Sequence, residues 1–158
     1  MAVRTIRKMG DPILEKKCRV VDEMSEKYLT LVHDMLETMY ESYGVGLAAP
    51  QVGILRRIVV INVGEGPIVL INPKVVETSG QQTGEEGCLS LPGQYGQVTR
   101  PNYAKVEAQD IHMEPIVVEG EGLLARALLH ECDHLDGHMF VELVEGELHT
   151  ADADEDDE

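Results

Sequence analysis

An α+β fold, with short antiparallel or mixed β-sheets packed around a helix late in the chain and a long amphipathic helix early in it, follows from three features of this sequence. Apolar residues recur at three- and four-residue steps in only two long stretches, 25–43 and 120–136. Runs rich in β-branched residues occupy much of the chain between them, broken by Gly, Asn and Pro. Connections that short favour antiparallel pairing. At 158 residues a single core can bury most of the apolar surface, so one domain is expected over residues 1–150.

Asp11-Pro12 has the form of a helix N-cap followed by Pro at the first helical position, which predicts a short basic helix to about Lys17. In 25–43, Leu29, Val32, Leu36, Met39, Tyr40 and Tyr43 define one buried face, and Gly44 ends that helix. Residues 44–53 (GVGLAAPQVG) are rich in small residues and breakers, which predicts an irregular loop that lets something approach its backbone. Short strands follow at 56–63, 67–72 and 74–78, joined by Gly-Glu-Gly and Asn-Pro turns. The segment 85–93 lies between glycines, and further strands are expected at 98–109 and 115–118. In 120–136, Leu123, Ala127, His130 and His134 share an inward stripe, and Gly137 stops the helix. ADADEDDE, 151–158, has nothing to bury and is expected to be disordered.

The chain carries a net charge of −16, and residues 127–158 hold twelve acids with no Lys or Arg. That balance offers no basic footprint for phosphate backbones, so no direct nucleic-acid binding is expected, least of all from the acidic tail. Three cysteines without framework spacing and an N-terminal stretch without an apolar core fit a soluble cytoplasmic protein, expected to be a monomer. No apolar run approaches membrane-spanning length.

His130-Glu131-Cys132-Asp133-His134 is an HExxH sequence. Residues four apart stack on one helix face, so two imidazoles can converge on one ion with Glu131 beside a bound water. A third ligand is needed. The downstream position that a metzincin pattern would use is Phe140, and His138 lies beyond the helix stop, so the third ligand is expected upstream. Cys88, in the Gly-flanked EGCLS segment, is the outstanding candidate, and a thiolate with two imidazoles leaves the fourth position open for chemistry. Cys18 and Cys132 read as small buried hydrophobes. Gly44-x-Gly46-x-x-Ala49 loosely matches a dinucleotide fingerprint but lacks the strand-to-helix context. The non-enzymatic alternative is a small binding module with a structural zinc site.

GVGLAAPQ, EGCLS and HECDH, in this order and at these separations, resemble the three signature motifs of bacterial peptide deformylases. The similarity extends from Gly10-Asp11-Pro12 through Arg100 to His138-Met139-Phe140; Leu129 departs from it, standing where many members have Gln. The resemblance implies a hydrolase that removes formyl from N-formylmethionyl peptides and nascent chains and releases formate. It implies one divalent ion on Cys88, His130 and His134, Fe2+ in cells, with Zn2+, Ni2+ or Co2+ able to substitute. Glu131 would move the proton, while the Leu89 N–H and the Gln51 amide would stabilise the developing oxyanion. Val45, Gly46 and Gly87 would pair with the peptide, and Val45, Glu86, Arg100, Leu123, Ala127 and His130 would line the methionine pocket. Gly46 would let the loop pass close to the metal.

Overall fold

Strand Ile58–Ile61, four consecutive β-branched residues, is the centre of the molecule, which is seen here in a computed structural model that describes residues 2–150. The segment 151–158, expected to be disordered, lies outside the described residues. Among the described residues, eight strands form two antiparallel sheets. The larger has the order β1 (Gly46–Ala48), β2 (Ile58–Ile61), β3 (Ile68–Ser79), β6 (Tyr103–Gln109), β7 (Pro115–Glu121); the smaller has β4 (Gln82–Cys88), β5 (Leu91–Arg100), β8 (Val144–Thr150).

All four β2 side chains are buried. Ile58 and Val60 lie in one core with Leu31, Val32, Met35 and Met39 of helix α1 (Glu26–Glu41). Val59 and Ile61 lie in a second core with Ala125, Leu128 and Leu135 of helix α2 (Leu123–Leu135). A strand covered on both faces has no solvent side, so its sequence is continuously apolar rather than alternating. The other flank of α2 meets the small sheet, where Arg126 donates to Glu86 of β4 and to the Val98 carbonyl of β5. Helix α2 is therefore held between two sheets.

Several elements differ from the sequence expectation. The first helix is a 3-10 turn, Pro12–Glu15, shorter than predicted, with Asp11 accepting from the Ile13 N–H at 3.0 Å. On α1 the buried face runs through Leu31, Val32, Met35, Thr38 and Met39, and Tyr40 and Tyr43 are exposed instead. Tyr40 keeps its hydroxyl at the surface, where it accepts from Asn62 Nδ2 at 3.1 Å. Residues 44–53 are not irregular: β1 pairs with β2 and the 3-10 turn Ala49–Val52 follows. The small side chains that suggested a loop are what allow a strand this close to the helices.

Strands predicted at 67–72 and 74–78 are one strand, β3. Its register against β6 shifts between Ile71 and Lys74, so Pro73, which has no N–H, falls in the irregularity, and Asn72 takes φ 53 there. The predicted strand 98–109 is two strands, because at Pro101 the chain leaves the small sheet for the large one. The segment around EGCLS is the end of β4 and its turn into β5. Strand β8 was not anticipated; its polar residues gain order from pairing with β5. Leu123, placed on the inward stripe, is half exposed in the first turn of α2. Gly137 does end α2 with φ +84, and a Cβ there would meet the Glu15 carbonyl oxygen at 2.6 Å.

Candidate metal centre

Three elements bring the chemistry together: α2 supplies His130, Glu131 and His134, the end of β4 supplies Cys88, and the turn after β1 supplies Gln51. Both histidines are buried with ring centroids 5.0 Å apart. Cys88 Sγ lies 3.2 Å from His134 Nε2, and one ligand atom from each of Cys88, His130 and His134 falls within 4.8 Å of the others. A soft sulfur and two imidazole nitrogens are a donor set suited to a divalent transition metal.

Glu86 orients the site from behind. Its carboxylate contacts His130 Nδ1 at 2.5 Å, accepts from Arg100 Nε at 2.8 Å and Nη2 at 2.7 Å, and accepts from Arg126 Nη1 at 2.8 Å. With Nδ1 engaged, His130 presents Nε2 to the centre. Burial alone would raise the Glu86 pKa, but the hydrogen bonds from Arg100 and His130 outweigh it and hold the carboxyl well below the usual range. Arg100 also reaches Asp133 at 3.1 Å.

Glu131 is buried beside the three donors. Its Oε2 is 4.0 Å from His130 Nε2, and its Oε1 has no hydrogen-bond partner. Burial pushes its pKa up to about 7, partly offset by His130. The same burial, together with His130, pushes His134 down. Gln51 is held by both ends: Oε1 accepts from the Ala48 N–H at 2.9 Å, and Nε2 donates to Ser90 Oγ at 3.0 Å with Cys88 Sγ at 3.5 Å. That network assigns the amide, with its N–H side toward the sulfur.

A cleft of about 420 Å³ opens onto this cluster, lined in part by Val45, Gly46, Glu86, Gly87, Leu123 and Ala127, the expected substrate positions. Leu89 and Gln51 line it too. Arg100 stands one step back, behind Glu86, and does not line the cleft. Gly46 is closer to the chemistry than anticipated, since a Cβ there would meet Glu131 Oε2 at 2.5 Å. Cys18 and Cys132 are buried thiols, raised by burial to about 11 and about 12. Sequence reasoning missed Arg126, which lines the cleft and ties α2 to Glu86; its place one helical turn before His130 was the available signal. Ser90, the buried acceptor for Gln51, is the last residue of EGCLS, and that membership was the signal that could have found it.

The donor set fits one divalent ion, and the unpartnered buried Glu131 oxygen beside it suits an acid–base group, so fold and site define a helix-borne metallohydrolase. Residues 3–148 match the family model described as polypeptide deformylase. A peptide deformylase of Agathobacter rectalis is 65% identical over 149 residues, 94% of each chain, and one of Lachnoclostridium phytofermentans is 60% identical over 100% of this chain and 99% of its own. Among solved structures, peptide deformylase from Thermotoga maritima superposes with TM-score 0.89 at 40% identity, covering 91% of this chain and 99% of that one. The Synechococcus elongatus enzyme in complex with actinonin gives 0.87 at 41%, covering 89% and 78%. The chain belongs to the polypeptide deformylase family. It is a metal-dependent hydrolase that removes the formyl group from the N-terminal formylmethionine of newly made polypeptides. A binding module built on structural zinc is set aside.

Proposed function

We propose that Cys88, His130 and His134 hold the metal ion, Fe2+ in the cell and replaceable by Zn2+, Ni2+ or Co2+, and that residues 1–150 act as one catalytic domain. When bound, the ion supplies Lewis acidity toward the formyl carbonyl and toward water. Glu131 takes the proton of the attacking water and returns it to the departing amine, leaving formate and a free N-terminus. Gln51 Nε2 and the Leu89 N–H donate to the formyl oxygen as it gains charge. The observation that carries these roles is Glu131 Oε1, a buried carboxylate oxygen with no partner, beside three convergent donors.

The peptide runs between two sheet edges, since β1 and β4 each end their sheet and so leave backbone groups for an added strand. Val45, Gly46 and Gly87 supply that pairing. The methionine side chain enters beside Glu86, Leu123 and Ala127, with Arg100 fixing Glu86 from behind. The protein works as a monomer in the cytoplasm, and three free cysteines support the reducing compartment. No helix among the described residues is long and apolar enough to cross a membrane.

The test is Glu131→Gln. The variant keeps its metal by elemental analysis and loses about 10²- to 10⁴-fold in formate release from a formyl-Met tripeptide. Near wild-type turnover overturns the role of Glu131.

A further inference from the structure

Helix α1 ends in a conformation that its sequence does not favour. Tyr43 has φ 58, the left-handed value usual for Gly after a helix, while its N–H bonds to the Tyr40 carbonyl at 3.1 Å and the Gly44 N–H to the Met39 carbonyl at 2.9 Å. Its side chain is 95% exposed, so no packing within the molecule offsets this choice. Backbone strain of this kind clusters at ligand clamps and binding edges.

Tyr43 lines two cavities at once. One is the catalytic cleft, which it borders in series with Ser42, Gly44, Val45 and Gly46. The other is a groove of about 450 Å³ on the outer face of α1, formed with His33, Leu36, Glu37, Tyr40 and Glu41. The groove follows from helical spacing. Leu36, Tyr40 and Tyr43 step by four and three along an apolar stripe, and His33, Glu37 and Glu41 step by four beside it. Its floor is aromatic and aliphatic, and one wall carries two carboxylates.

Resting on the proposed reading of the cleft, we infer that the formylated chain leaves it over Tyr43 and that residues from about the fourth onward lie in this α1 groove, which selects apolar and basic side chains. An extended peptide whose first residue lies beside Gly46 advances roughly 3.3 Å per residue past Val45 and Gly44, which have already turned out of β1 toward the α1 cap, so its fourth residue comes abreast of Tyr43 at the mouth of the groove that Tyr43 lines. Tyr43 and Tyr40 offer flat apolar surface to it. Glu37 and Glu41 attract Lys or Arg and repel acids.

The experiment compares kcat/KM for three substrates: formyl-Met-Ala-Ser, the same tripeptide extended by Lys-Leu-Lys, and the same extended by Glu-Leu-Glu. Wild-type protein deformylates the Lys peptide on the order of fivefold more efficiently than the Glu peptide, the difference lying in KM and fading at high salt. The double variant Glu37→Lys/Glu41→Lys reverses the order and leaves the tripeptide unchanged. A control, Glu77→Lys/Glu107→Lys, changes two exposed acids on β3 and β6 and leaves the wild-type order intact, which separates the groove from overall charge. Equal rates on the two extended peptides in wild-type protein, or a preference that survives the α1 reversal, overturn the inference while the cleft assignment stands. Failure to deformylate any of the three overturns the function and the inference with it.

Discussion

Replacing Gly46 by Ala asks how tightly the β1 edge is fitted to the acid–base group. A Cβ at this position would lie 2.5 Å from Glu131 Oε2, 2.9 Å from its Cγ and 3.0 Å from its Cδ. An ordinary contact begins near 3.4 Å, so the strand or the carboxylate must yield by about 0.9 Å. The strand cannot move freely, because Gly46, Leu47 and Ala48 are in register with Ile61, Val60 and Val59 at the centre of both cores. Glu131 is the part that gives, and a misplacement of about 1 Å in a catalytic group costs on the order of 10²-fold. Overpacking adds a stability loss of about 1–3 kcal/mol. Steady-state formate release gives the first quantity, and urea unfolding followed by circular dichroism gives the second. A Gly46→Ala protein within threefold of wild-type kcat/KM refutes the claim that this glycine is required by the position of Glu131.

Three other outcomes are expected. Gly137→Ala loses about 1–3 kcal/mol in urea unfolding, because a Cβ at φ +84 would press on the Glu15 backbone, whereas Gly64→Ala, with no atom within 4 Å, loses less; equal losses would leave the Glu15 contact without effect. Asp34 is opposed by burial but accepts from the Ala2 N–H and from Arg4, so its pKa is lowered; its contribution is fully present above the unfolded value of 3.8 and disappears as pH falls through the folded one. The stability gap between wild type and Asp34→Asn, read as urea midpoints at pH 7 and pH 2, therefore narrows at the lower pH, and a gap that widens contradicts the sign. Cys88→Ser loses metal affinity, and the iron form of the parent protein loses activity in air faster than the nickel form; an air-indifferent iron enzyme together with normal metal binding by the serine variant removes Cys88 from the ligand set.

Local sequence carried the signals that act over a few residues. HExxH spacing places two imidazoles on one side of a helix whatever that helix packs against, and Gly137 announced the stop that limits it. The α1 periodicity showed a helix but misjudged its rotation, because Tyr is apolar in a pattern and amphipathic in a structure, and only packing on β2 decides which of its faces is buried. The same limit explains residues 44–53, where small side chains read as a loop until β2 is available to pair with them. Cys88 was legible as a thiol near breakers, but its 3.2 Å approach to His134 depends on the small sheet docking against α2, a contact spanning 46 residues. Arg126, one turn before His130, and Ser90, inside EGCLS, had positions that could be read but no readable role: an arginine on a helix and a serine in a turn acquire their partners only when Glu86 and Gln51 arrive from other elements. Short-range spacing thus determined which groups could act on a metal and a formyl peptide. Long-range burial decided which of them face one another, since a buried hydrogen bond or donor set requires partners that the chain brings from distant positions.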